Sequence, residues 1–260
     1  MRHFPLLIAG ALVLGTTAAG HADQLCIRTT GTTRSIKIRA GVCKPTEASI
    51  GTFDGTTLAL SGVNLTVQAA DLTVDGGNVH VQSGSGSTYS DDTTGKGNVI
   101  IGYNEGTGSE VRTGDHNLVM GENNEYLSVG GIVSGLSNRI SAPYASVIAG
   151  LSSRATGVGA FAGGTDSGAA DGYKSTVIGG NHDTASGAGA VVVGGELNTA
   201  GGTGALVVGG ELNSSSAPLS TVTGGHSNSA TGDHSTVGGG LSRSASGTDD
   251  WVAGSLFEDF

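Results

Sequence analysis

The side chains best able to hold a metal or move a proton are scattered along this 260-residue chain, and their spacing does not assemble a reactive centre. His80, His116, His182, His226 and His234 lie far apart. No HExxH and no histidine pair at ligand spacing beside a carboxylate occurs, so a zinc site is not expected. His116 and His234 share a Thr-Gly-Asp-His phrase, but the phrase reads as a turn. The segment from Asp166 to Gly172, DSGAADG, has the flavour of a calcium turn. It lacks the Gly-Gly-x-Gly-x-Asp nonapeptide of calcium-binding rolls and reads as a solvated turn. Glu196 and Glu211 would stack in adjacent repeats, where they could share a cation, though two screened surface carboxylates is the plainer account. A GxSxG elbow is missing as well. The expectation is a protein that is not an enzyme and that uses no cofactor.

The chemistry that remains is covalent cross-linking. The chain has two cysteines, Cys26 and Cys43, with no CxxC. In an exported protein they most simply form one disulfide. Export follows from residues 1–22: Arg2, the apolar run Phe4 to Leu14, and small residues in Gly20-His21-Ala22 make a cleavable signal peptide. The run is shorter than the roughly 20 residues of a membrane span, and no later segment could serve as a transmembrane anchor. The expected location is therefore extracellular, cell-surface or periplasmic.

The elements that would position any site are set by composition and repeat. The chain holds 48 Gly, 4% aromatic and 13% charged residues. Glycine at this density disfavours helices by about 1 kcal/mol per position and suits turns at positive φ. The net charge of -10 gives no footprint for nucleic acid. Residues 98–255 repeat one phrase at a step of about 15, as in STVIGG at Ser175–Gly180, AVVVGG at Ala190–Gly195 and ALVVGG at Ala205–Gly210. A fixed short period means an all-β parallel β-roll or β-solenoid, in which each coil buries its apolar face on the next.

Take Gly102, Gly121, Gly135, Gly150, Gly164, Gly180, Gly195, Gly210, Gly225 and Gly240 as reference points. Three residues earlier stand Val99, Leu118, Ile132, Val147, Phe161, Val177, Val192, Val207, Val222 and Val237, with Val252 continuing the series. These are the expected roll core. Five residues after the glycine come Ile140, Ala155, Ala169, Ala185, Ala200, Ser215, Ala230 and Ala245, a second and smaller inward set. Two residues before it stand Ile100, Val119, Val133, Ile148, Ala162, Ile178, Val193 and Val208. Neighbours on a strand point to opposite faces, so Ile100, Val119, Val133, Ile148, Ile178, Val193 and Val208 are expected to form an outward apolar stripe. Soluble monomers rarely expose such a stripe; it predicts self-association, and a rod-like roll with a repeated stripe suits a homotrimer, the alternative being a slightly wider roll that buries both sets. Asn138, Asp183, Asn198, Asn213 and Asn228 form a ladder three residues after the glycine, suited to tight turns and coil-to-coil bonding. Gly157, Gly187, Gly202, Gly232 and Gly247 supply a second turn; where Ala142 and Ala217 replace it, Pro143 and Pro218 follow.

Before the roll, residues 23–56 read as a disulfide-clipped hairpin with five basic residues, Arg28, Arg34, Lys37, Arg39 and Lys44. Residues 57–83 carry a step of seven in Leu58-Ala-Leu60, Leu65-Thr-Val67, Leu72-Thr-Val74 and Val79-His-Val81. Each unit alternates with the β period of two and is expected to form a neck-like β-prism or a small meander. Residues 84–97 read as a linker and 256–260 as a tail. Trp251 is expected to cap the last coil.

The STVIGG phrase followed by Ala185-Ser-Gly187 resembles the head repeats of YadA-like trimeric autotransporter adhesins. The resemblance covers roughly 98–255 and implies a left-handed parallel roll, a trimer, and display on a bacterial surface to bind matrix or other cells. The chain departs from that family in its longer coil and doubled glycine. It also shows no heptad stalk and no C-terminal barrel strands. Its ordering of signal, cysteine pair and repeats is similar to that of a group of exported bacterial proteins. The expected function is adhesin-like binding of a matrix, glycan or cell-surface ligand. The alternative is a structural or phage-fibre-like protein without a specific ligand. Ice binding would need a flat threonine array, and Thr176, Val191, Leu206, Thr221 and Thr236 are too irregular for one.

Overall fold

The computed structural model describes residues 23–30, 33–39, 43–45, 48–53, 58–60, 78–89 and 94–254. The chain divides into two compact units, Met1–Gly77 and Asn78–Phe260. The expected signal peptide, the repeat units at Leu65–Val67 and Leu72–Val74, and the tail 256–260 lie outside the described residues.

The first unit contains an antiparallel sheet of β1 (Asp23–Thr30), β2 (Thr33–Arg39), β3 (Ala48–Phe53) and β4 (Leu58–Leu60), in the order β2-β1-β3-β4. The β1–β2 hairpin sets Leu25 opposite Ile38 and Ile27 opposite Ile36. Cys26 and Cys43 are joined in a disulfide with Cα atoms 5.6 Å apart and a separation of 17 residues. Closing a loop of this size contributes about 3 kcal/mol in the chain-entropy view. The expected hairpin is thus half of a larger sheet. Leu58–Leu60, the first of the seven-residue units, joins this sheet beside β3. The last unit forms no strand: Val79 and Val81 are exposed, in chain without regular structure.

The second unit is a parallel β-solenoid, as its period requires. Among the described residues it has an 11-stranded sheet, from Val99–Ile101 to Trp251–Val252, and a 9-stranded sheet, from Glu125–Tyr126 to Ser244–Ala245. One coil illustrates the rest. Thr176–Ile178 forms a strand of the larger sheet. Gly179 and Gly180 turn the chain at positive φ, and Asn181 makes a single-residue bridge to the coils on either side. His182 turns again at φ 56°. Thr184–Ala185 then forms a strand of the smaller sheet, and Ser186 to Gly189 returns the chain to the start of the next coil. Adjacent coils pair in parallel at each strand, so main-chain polar groups are satisfied by neighbours above and below.

The interior is a stack of columns. Val177, Val192, Val207, Val222 and Val237 line one wall and are buried. Ala185, Ala200, Ala230 and Ala245 face them, with Ala190 and Ala205 at the corner. In one coil two serines replace alanines, and Ser215 and Ser220 share a 2.6 Å hydrogen bond that satisfies both buried hydroxyls. Larger side chains fill the first coils: Tyr126 and Ile140 take the alanine column. Ile140 fits because the facing corner residue is Gly131, whose absent side chain leaves room for Ile140 Cδ1; a β-carbon there would sit 2.7 Å from it. The second-turn glycines are required by backbone proximity. A β-carbon on Gly187 would collide with the carbonyl oxygen of Gly202.

Two expectations about register are corrected by the ladder. First, Val119 pairs with Val133, and Val133 with Val147, so all three stand in one buried column. The strand containing Val147 bears an extra residue before Gly150, marked by Ala149 at φ 54°. This bulge shifts the count from glycine to core from two residues to three. Second, Thr165 rather than Gly164 holds the reference place, because Leu151 bridges to Asp166 and Asp166 to Asn181. The core residue of that coil is therefore Ala162, paired with Val147 and Val177. Likewise Ala170, not Ala169, pairs with Ala155 and Ala185.

Candidate functional site

The outer faces of the two sheets are the places where this fold can meet a partner. On the larger sheet, the two residues flanking each core position point outward. One outward column runs Leu118, Ile132, Ser146, Phe161, Thr176, Val191, Leu206, Thr221, Thr236 and Trp251. The other runs Ile101, Met120, Ser134, then Ile148, Gly163, Ile178, Val193 and Val208, ending in Thr223 and Gly238.

Of the expected stripe, Ile148, Ile178, Val193 and Val208 point outward, each about 39–47% exposed. Val119 and Val133 do not belong to it; they are in the core, and Leu118 and Ile132 take the outward places beside them. Ile100 pairs with Val119 in the core column, yet it is exposed on the terminal strand together with Val99 and Ile101. Phe161 is also outward. Its ring lies over Gly163, where a β-carbon would be 2.7 Å from Cε1 and Cζ, so the aromatic covers its own strand. Val252 is half-buried on the last strand, and Trp251 is 71% exposed beside it. Trp251 lies on the outward column, so it does not close the end of the stack. The apolar face is therefore two columns wide and broader than one stripe. It is densest between Ile101 and Val208 and fades to Thr221, Thr223, Thr236 and Gly238. At about 4.8 Å per strand, its apolar part is about 34 Å long.

The smaller sheet turns out a different face. Thr184, Thr199, Ser214, Ser229 and Ser244 form one outward rank, and Ser186, Gly201, Ser216, Thr231 and Ser246 the next. All are half-buried or exposed. At the N-terminal end this face carries charge: Arg139 lies 3.6 Å from Glu125, and Arg154 makes a two-pronged pair with Asp171 at 3.0 and 2.7 Å. Burial alone would raise the Asp171 pKa, but hydrogen bonds from Arg154 and Thr156 outweigh it and hold the carboxylate below its ordinary value. Sequence reasoning missed this face. Its signal was present in the recurring triplets Thr184-Ala-Ser186, Ser214-Ser-Ser216 and Ser229-Ala-Thr231.

The residues singled out for chemistry are not assembled into one centre. His116 accepts the Ser83 main-chain N–H at Nε2, 3.1 Å, while Nδ1 lies 3.2 Å from Thr88 O. His234 Nδ1 lies 3.8 Å from Asp249. The shared phrase thus places two histidines in unrelated surroundings. Glu196 and Glu211 neighbour one another on the bridge ladder, with His226 Nε2 3.7 Å from Glu211. In the DSGAADG segment, Asp171 is committed to Arg154, and Asp166 Oδ1 accepts from the Ser167 hydroxyl at 3.0 Å. The carboxylates there do not converge.

The asparagine ladder works by side chain, not by backbone conformation. The positive-φ residues are those just before it, including Ser137, Leu197, Leu212 and Ser227. Each asparagine Oδ1 accepts the main-chain N–H of the next ladder residue, as Asn198 does from Asn213 at 3.0 Å and Asn213 from Asn228 at 3.0 Å. In Asn198, Asn213 and Asn228 the Nδ2 donates to two glycine carbonyls, one in its own coil and one in the next, and in Asn138 it donates to Ser134 O and Gly150 O.

Comparison with known protein families, curated proteins and solved structures finds no match for this chain.

Proposed function

We propose that the chain is an exported, non-enzymatic β-solenoid protein that assembles as a homotrimer through the outer face of its larger sheet. The carrying observation is the exposed run of Ile148, Ile178, Val193 and Val208 flanked by Val191 and Leu206. Contiguous apolar surface of this extent is unusual on a soluble monomer, and burying it is favourable by about 25 cal/mol per Å². Three solenoids with parallel axes would enclose their apolar faces and leave the hydroxyl ranks outermost. The resemblance of the repeats to trimeric adhesin heads points the same way, including the left-handed sense of the roll.

In this reading the hydroxyl face and the exposed turns do adhesin-like work, meeting a matrix, glycan or cell-surface ligand. Hydroxyls in regular ranks both donate and accept hydrogen bonds, which suits a polyhydroxylated polymer. The purified protein is expected to be retained on at least one surface of a panel of matrix proteins and glycans. Retention of none would leave a structural coat or fibre protein. That second reading draws on the regularity of the two ranks between Thr184 and Ser246, which are Ser or Thr at every place but Gly201.

A further inference from the structure

Asp183 stands in the asparagine ladder where its neighbours in the following coils have Asn198, Asn213 and Asn228. Half of its job is unchanged: Oδ1 accepts the Asn198 main-chain N–H at 2.8 Å. The other half cannot be done by a carboxylate. In Asn198 the corresponding atom is an N–H₂ that donates to Gly194 O at 3.3 Å and Gly210 O at 2.9 Å. Asp183 Oδ2 occupies that place one coil earlier. A β-carbon built on Gly180 would collide with Asp183 Oδ2 and lie 2.7 Å from Gly195 O; one built on Gly195 would collide with Asn198 Nδ2 and Gly210 O. Oδ2 is therefore set beside a carbonyl oxygen, an acceptor facing an acceptor. Asp183 is fully buried, and Oδ2 has no hydrogen-bond partner.

We infer that Asp183 is held as a neutral carboxylic acid in the folded solenoid at neutral pH, its O–H donating where the asparagines use their amide. Burial pushes its pKa up, against hydrogen bonds from Asn198. Among charged neighbours, Glu196 in the next coil also raises it and His182 in the same turn lowers it. The coil before presents Gly168 at the ladder place, which has no side chain to donate or to charge. A carboxylate with one oxygen left unpaired costs free energy in a dry site, and a proton on that oxygen lowers the cost.

The linkage has a definite sign. The unfolded chain ionises Asp183 near 3.8, while the folded chain keeps the proton to higher pH. Unfolding in the window between the two values releases a proton. The contribution of Asp183 is complete below 3.8 and is lost as pH rises through the folded value. Asp183→Asn supplies the N–H₂ permanently and removes this dependence. The experiment compares the full chain with Asp183→Asn by thermal unfolding from pH 4.5 to 8 and by infrared difference spectroscopy at pH 7. The expected result is a variant whose midpoint exceeds the parent by on the order of 5 °C at pH 8, with the gap closing toward pH 4.5. The parent alone should show a protonated-carboxyl band. A gap that does not change with pH, or a carboxylate band at pH 7 whether free or bound to a cation, would overturn the inference.

Discussion

The two sheets of the solenoid are built alike on the inside and differ on the outside. Inward, both present small apolar residues: valines from the larger sheet, alanines from the smaller. Outward, the larger sheet shows Ile148, Ile178, Val193 and Val208, and the smaller shows Thr184, Thr199, Ser214 and Ser229. Coil stacking does not demand this difference, because hydroxyl residues serve at Thr221 and Thr236 in the larger sheet without loss of pairing. The lesson is that the inward positions maintain the fold and the outward ones are free to record what each face meets.

The strongest way to break the comparison is to make both faces polar in turn. Ile178→Asp with Val193→Asp is expected to dissociate the proposed trimer completely, read as a threefold fall in native mass by light scattering. Thr184→Asp with Thr199→Asp is expected to leave the mass unchanged. A ladder change comes next. Asn213→Ala removes an acceptor for Asn228 N–H and a donor to two glycine carbonyls, costing about 3 kcal/mol in chemical denaturation. Then the inward and outward valines of one strand can be set against each other. Val192→Ala is expected to cost about 2 kcal/mol by leaving a cavity. Val193→Ala, tested in the dissociated background, should cost under about 0.5 kcal/mol. The smallest effect is expected for Thr199→Ala, within about 0.5 kcal/mol of the parent in stability.

Much of this was legible because the period is short and the residues simple. Where the step of 15 holds, from Val177 to Val237, counting back from glycine finds the buried column. It failed by one at Val119, Val133 and Ala162, and a slip of one residue on a strand exchanges its faces. Ala149 is the inserted residue and Thr165 the position where glycine is replaced, and neither announces itself by type. The bridge ladder and the main-chain bonds across it were needed to see them. The asparagines were legible as a ladder that bonds coil to coil, but the partners of those bonds were not. Their side chains reach glycine carbonyls in the next coil, a three-dimensional relation that spacing along the chain does not reveal. The hydroxyl face escaped notice because serine and threonine also fill turns, and only the placement of Thr184 and Ser186 on either side of the buried Ala185 separates a rank from a loop.

The central claim is that the apolar outer face of the larger sheet is covered by other copies of the same chain. Sedimentation equilibrium of the purified protein over a wide concentration range tests it most directly. The account predicts three chains per particle, stable to dilution. A single-chain particle that stays monomeric at high concentration would contradict it.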